Sequence, residues 1–184
     1  MSILDLSRYD ILTELKPYTQ VGVIGLGCGE DLEFFARVRK RKRFTGFGWG
    51  DLSAVRKKTR GCQNVQLVKY NGAHLPVKNN CLESLLISEE LQYYMAERRV
   101  LEPGIYKVND FLAQKILHAH RLVMREGMLI FYGSLTFVGS ISRAIYSSDA
   151  YGVELQAEEE VKHFSSAYSY AVFRRKKEES DDSL

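Results

Sequence analysis

Three glycines spaced two apart, Gly25, Gly27 and Gly29, follow directly on the apolar run Val21-Gly22-Val23-Ile24 and precede Glu30-Asp31. A backbone that turns tightly and approaches a ligand needs residues without Cβ, and a helix starting just after such a turn points free N–H groups at whatever is bound. Gly25-Leu26-Gly27-Cys28-Gly29 is therefore a candidate cradle for a nucleotide-type cofactor; a bare strand-to-helix turn would need only one or two glycines. A second group, Ser88-Glu89-Glu90-Leu91-Gln92-Tyr93-Tyr94, follows another apolar run. There Glu89 and Glu90 could accept a proton and Tyr93 could flank a flat substrate, while a cap on the following helix is the competing role for the acids. Metal chemistry is not indicated. His118 and His120 fall two apart on a predicted helix, hence on different faces, and Cys28, Cys62 and Cys81 form no C-x-x-C pair.

The elements that would position these groups alternate along the chain. Apolar spacing predicts a helix over 5–16, a strand over 21–25, a helix over 31–39, a strand over 44–48, and a helix to about 59 capped by Asp51 or Ser53. Strands over 65–70 and 82–88 follow, then an amphipathic helix over 111–124 that stops at Glu126-Gly127, and a strand over 128–132. Strands separated by helices imply right-handed crossovers and a parallel sheet. A short helix over 140–147 precedes strands over 152–163 and 167–175, whose short join makes them antiparallel. The expected fold class is α/β, a three-layer sandwich with a mostly parallel seven-stranded sheet ending in an antiparallel hairpin.

With 184 residues and 45% hydrophobic content, the chain makes one domain, 1–177, followed by an acidic tail over 178–184 with the composition of a disordered segment. Unpaired cysteines, no basic-then-apolar leader and no apolar run of about 20 residues point to a cytoplasmic protein with no membrane segment. The runs 37–43 and 174–177 are rich in Lys and Arg and are candidate contacts for nucleic acid, although both fall at the sheet end opposite the glycine turn; a solvated rim is the plainer role.

Two cofactor classes compete for the glycine turn. A dinucleotide fold needs G-x-G-x-x-G, and Glu30 stands where its third glycine would be. The G-x-G-x-G spacing resembles the first motif of class I S-adenosylmethionine-dependent methyltransferases. The resemblance continues in order: Arg43-Phe44-Thr45-Gly46-Phe47-Gly48 is similar to that family's second strand, and Val65 through Val77, with Asn71-Gly72-Ala73-His74-Leu75-Pro76, to its D-A-x-x-L-P-F segment. Asn80-Cys81-Leu82-Glu83-Ser84-Leu85-Leu86-Ile87-Ser88 resembles its N-S-F-D-x-V-x-S strand, and Arg121-Leu122-Val123-Met124-Arg125-Glu126-Gly127-Met128-Leu129-Ile130 its R-V-L-K-P-G-G-x-L segment.

That resemblance implies S-adenosylmethionine as cofactor, held by Gly25, Leu26, Gly27, Cys28 and Gly29, by Trp49 or Asn71, Gly72 and Ala73 against adenine, by Asp51 at the ribose and by Ser88. It also implies departures. The family's acid two residues before the first glycine is Val23, its acid ending the second strand is Gly48, and its adenine-contacting acid is Asn71. A non-catalytic scaffold with the same fold is thus the rival to an enzyme acting on protein, RNA or a small metabolite, and a nicotinamide-binding protein is a third reading. With little chain of its own to roof a substrate, the protein is expected to borrow surface from a protein partner or a second copy. The stretch 95–109 reads as a helix or a lid beside the acceptor.

Overall fold

The computed structural model describes residues 3–70, 77–89, 123–146, 155–157, 162–165 and 168–175. In chain order these form α1 (Ile3–Glu14), β1 (Gln20–Ile24), α2 (Glu30–Val38), β2 (Arg43–Trp49), α3 (Ser53–Thr59), β3 (Val65–Tyr70), β4 (Leu82–Ser88), β5 (Val123–Gly133), α4 (Leu135–Tyr146), β6 (Leu155–Ala157), β7 (Lys162–Ser165) and β8 (Tyr168–Arg175). The predicted stretches 71–76, 90–122 and 176–184 lie outside the described residues.

One sheet runs β3-β2-β1-β4-β5-β8-β6, with β7 also on β8. Strands β1 to β5 pair in parallel, and β8 enters antiparallel beside β5 with Met128 opposite Arg174 and Gly133 opposite Ser169. Both β6 and β7 pair with the other side of β8, one near each end, so the sheet has seven places. The first strand expected of the hairpin, over 152–163, corresponds to the two described strands β6 and β7.

The sheet is buried on both faces. Along β5, Met128, Ile130 and Tyr132 join Val23, Leu86, the α1 residues Ile11 and Leu12 with Leu15 just beyond them, and the α2 residues Leu32 and Phe35. Leu129 and Phe131 turn the other way, onto Ile87, Phe173 and the α4 residues Phe137 and Ile141. Two-sided burial is why these strands read as continuous apolar runs. Among the described residues no helix is long and apolar enough to cross a membrane.

Two boundaries correct the sequence expectation. Val123 and Met124, predicted to end a helix, begin β5, and Glu126-Gly127 is no helix stop. Pairing jumps from Leu82–Val123 to Ser84–Met128, a bulge of β5 against β4. A Cβ on Gly127 would lie 2.6 Å from the Met124 carbonyl oxygen and 2.8 Å from that of Glu83, so only glycine fits there. Helix α4 begins at Leu135, five residues before its predicted start, because Ser134 serves as its cap: the Ser134 hydroxyl accepts from Phe137 N at 3.3 Å.

At the amino end of the strands, Glu83 on β4 fastens the entry to β1. Its carboxylate accepts from the backbone N–H of Thr19 and, at 2.8 Å, of Gln20, and from the Thr19 hydroxyl at 3.0 Å. Burial alone would raise the Glu83 pKa; the hydrogen bonds and the nearby Lys42 ammonium outweigh it and hold the pKa below its ordinary value. A carboxyl with a depressed folded pKa stabilises above its unfolded value, about 4.3, and that contribution fades as pH falls through the folded value. Glu83→Gln is expected to lose about 1 kcal/mol at pH 7, a difference that shrinks towards zero in urea melts below about pH 4.

Candidate functional site

Chain order dictates where a ligand can sit. From β1 the chain moves outward to β2 and β3, then returns to β4 and β5 on the other side of β1. The carboxyl ends of β1 and β4 therefore flank the switch point of the sheet, where open α/β folds bind ligands. Gly25 to Gly29 leave β1 there, Ser88 and Glu89 end β4 there, and Asp51 follows β2.

The glycine turn has the backbone that its sequence demands. Gly25, Gly27 and Gly29 have φ of 78°, 48° and 92°, all in the left-handed region. Gly29 is the N-cap of α2; its N–H bonds to Leu26 O at 2.7 Å and its carbonyl accepts from Glu33 N at 2.9 Å. A Cβ at Gly29 would lie 3.1 Å from Val55 Cα, so the turn is also wedged against α3. Leu26 is buried and Cys28 exposed.

Acidic groups gather at the start of α2. Asp31 accepts from Arg8 Nε at 2.7 Å, and Glu30 lies 3.3 Å from Lys58. A carboxylate opening the helix opposes a pyrophosphate at its N-terminus more than it opposes S-adenosylmethionine, whose single carboxylate is offset by its own ammonium and sulfonium. The turn thus fits the backbone needs of S-adenosylmethionine.

The flanking positions fit it less closely. Val23 is packed in the core with Leu32, Phe35 and Tyr132. Gly48 is covered: a Cβ there would lie 2.2 Å from Leu52 Cδ2 and 3.1 Å from Leu26 Cδ1. Just beyond, Gly50 has φ 74° and open space beside it. Asp51 is exposed, and both its oxygens engage Ser53, from N at 2.9 Å and from the hydroxyl at 2.8 Å. The Ser53 hydroxyl first, then the Ser53 N–H, lower the Asp51 pKa, with Lys69 and Arg56 adding to the effect.

On β4, Ser88 is buried and registered with Tyr132. Glu89 is bound on both oxygens by Ser134, one from the backbone N–H and one from the hydroxyl, each at 2.6 Å, and its own N–H bonds to Tyr132 O at 3.0 Å. Sequence reasoning placed a cap on the helix following Glu89; the helix start that Glu89 braces is that of α4, 45 residues later. Gly133 (φ 150°) makes this approach possible, since a Cβ there would lie 2.4 Å from Glu89 Cβ. Gly133 and Ser134 were missed, although a Gly-Ser pair ahead of an apolar run is a cap signature. Ser134→Ala is expected to lower stability by about 1–2 kcal/mol in urea unfolding, by removing the cap and one Glu89 partner.

The structure brings Gly25, Leu26, Gly27, Cys28, Gly29, Asp51, Ser88 and Glu89 to one edge, with the backbone of Trp49 ending β2. Asn71, Gly72, Ala73, Glu90 and Tyr93 lie outside the described residues. At least one residue of each basic run is committed to packing within the fold. Lys42 donates to the carbonyls of Leu15 at 2.8 Å, Lys16 at 3.0 Å and Tyr18, closing the end of α1, and Arg174 donates to the Tyr18 hydroxyl. Among the described residues no group of His, Cys, Asp and Glu is placed to hold a metal ion.

No protein-family model and no curated protein matches the chain. Solved structures do. An S-adenosylmethionine-dependent methyltransferase from Aquifex aeolicus superposes with a TM-score of 0.66 at 10% identity, over 94% of this chain and 96% of that one. The N-methyltransferase NodS from Bradyrhizobium japonicum gives 0.62 at 13% identity, over 94% and 97%. A Burkholderia thailandensis 1,6-didemethyltoxoflavin-N1-methyltransferase, solved with 1,6-didemethyltoxoflavin and S-adenosylhomocysteine, gives 0.62 at 11% identity, over 92% and 77%. Likeness at this identity speaks to architecture alone. By strand order, by the antiparallel β8 and by these superpositions, the chain has the fold of the class I S-adenosylmethionine-dependent methyltransferases.

Proposed function

We propose that the protein binds S-adenosylmethionine at the turn between β1 and α2 and transfers its methyl group to an acceptor. The carrying observation is that turn: three left-handed glycines at the switch point, followed by a helix that opens on a carboxylate. Gly25, Leu26, Gly27, Cys28 and Gly29 would hold the cofactor, with Asp51 and Trp49 on the β2 side, Ser88 on the β4 side, and Asn71, Gly72 and Ala73 at the adenine. The cofactor brings an already activated methyl group, so the protein's part is to bind, orient and exclude water. Glu89, Glu90 and Tyr93 are the residues proposed to face the acceptor, which is a protein, an RNA or a small metabolite.

A second reading, a non-catalytic protein that keeps the fold as a scaffold, is favoured by Val23 and Gly48. Neither position offers a polar group, and one charge-assisted hydrogen bond lost from a cofactor site weakens binding by about ten- to a hundredfold. Calorimetric titration with S-adenosylmethionine and S-adenosylhomocysteine, with NADH as control, separates the two. Micromolar binding of the first pair supports the enzyme; binding of neither supports the scaffold.

A further inference from the structure

Charge along this chain is strongly partitioned. Residues 37–69 hold eleven Lys and Arg against the single acid Asp51, a charge of +10 in a chain whose total is +3, which leaves −7 for all other residues. The fold gathers that segment at one side of the molecule: the end of α2, the strand β2, the helix α3 and the edge strand β3.

The structure then sorts these cations. Arg39 and Lys42 turn inward to the carbonyls of Leu12, Leu15, Lys16 and Tyr18. Arg37 bonds Glu33 at 2.9 Å and Lys58 lies 3.3 Å from Glu30. Lys40, Arg41, Arg43, Arg56, Lys57, Arg60 and Lys69 are exposed, and no acidic side chain among the described residues lies within ion-pair distance of them. The ends of this face are linked: Arg37 Nη2 lies 3.9 Å from the Cβ position of Gly61, while Arg56 and Lys69 act on Asp51 at the rim of the candidate cofactor site. Seven residues of β2 span about 20 Å between those ends.

We propose that this face binds the phosphodiester backbone of a nucleic acid. Seven exposed cations over about 20 Å match the density of a phosphate chain, and arginine forks suit phosphate oxygens. A membrane surface fits less well, because Val38 is the one large exposed apolar side chain there among the described residues. The run 37–43 contributes only part of the face; α3 and β3 supply the rest, and Arg174, spent on Tyr18, takes no part.

The test is fluorescence anisotropy of a labelled 20-nucleotide single-stranded RNA with the full chain and no cofactor, so that its outcome is separate from that of methyl transfer. Binding is expected at 50 mM salt and to weaken about fiftyfold by 200 mM, the slope for about four phosphates. Arg56→Glu with Lys57→Glu and Arg60→Glu should raise Kd at least tenfold and flatten the salt slope, and so should Lys40→Glu with Arg41→Glu, a separate pair that guards against a folding defect. Lys78→Glu, outside the segment 37–69, should bind as wild type. The proposal fails if wild type does not bind at 50 mM salt, if both reversals on the face leave Kd unchanged, or if the control weakens binding equally. Tighter binding to phosphatidylserine vesicles than to RNA overturns it in favour of a membrane surface.

Discussion

Gly27→Arg is expected to abolish binding of S-adenosylmethionine while leaving the protein folded. Gly27 sits at φ 48°, where a residue with a Cβ pays about 1–2 kcal/mol in backbone strain. It is half-buried in a turn and not part of either apolar cluster, so little core is disturbed. Stability should therefore fall by about 1–2 kcal/mol, which a domain of this size tolerates. The ligand is affected far more. A turn that lets backbone approach a cofactor would carry a long cationic side chain into that space, and a loss of at least about a hundredfold, or about 2.7 kcal/mol, is expected. Calorimetric titration, with thermal melting as a control for folding, reads both effects. Unchanged affinity in a folded Gly27→Arg protein would move the cofactor away from the β1–α2 turn altogether.

The parts of the fold legible in the sequence are those whose pattern is local. Leu82–Ser88 and Val65–Tyr70 are bounded where their patterns predict, the first as a buried apolar run and the second as a shorter, half-exposed edge strand marked off by Gly61 and Asn71-Gly72. The glycine turn is legible because its chemistry lies in consecutive residues. What escaped notice depends on partners distant in sequence. Gly127 looks like a helix stop until the Glu83 carbonyl beside it is known, and Glu89 looks free until Ser134 is folded against it. The inward turn of Lys42 within a run of like residues is equally hidden, since the carbonyls that attract it lie more than twenty residues earlier, just past the end of α1.

Returning the missing acid to the end of β2 is expected to destabilise the protein without restoring a ribose contact. The resemblance places a carboxylate at Gly48, yet a Cβ there would lie 2.2 Å from Leu52 Cδ2 and 3.1 Å from Leu26 Cδ1, under a buried apolar cover. Gly48→Asp must push Leu52 aside, at about 1–3 kcal/mol for overpacking, and it buries a carboxylate against the side chains of Leu52 and Leu26, at several kcal/mol more. A combined loss of about 4 kcal/mol lowers Tm by roughly 12 °C in a chain of this length. Gly48→Ala separates the two effects, since it meets the same Leu52 methyl with no charge. Its loss should shrink when Leu52→Ala is added, giving a favourable coupling of about 1 kcal/mol in a double-mutant cycle. If Gly48→Asp instead folds normally and binds S-adenosylmethionine more tightly, Leu52 is a mobile cover over a ribose pocket. If it melts early, glycine at this position belongs to the packing between β2 and α3, and any ribose contact must come from beyond it, where Gly50 opens the chain towards Asp51.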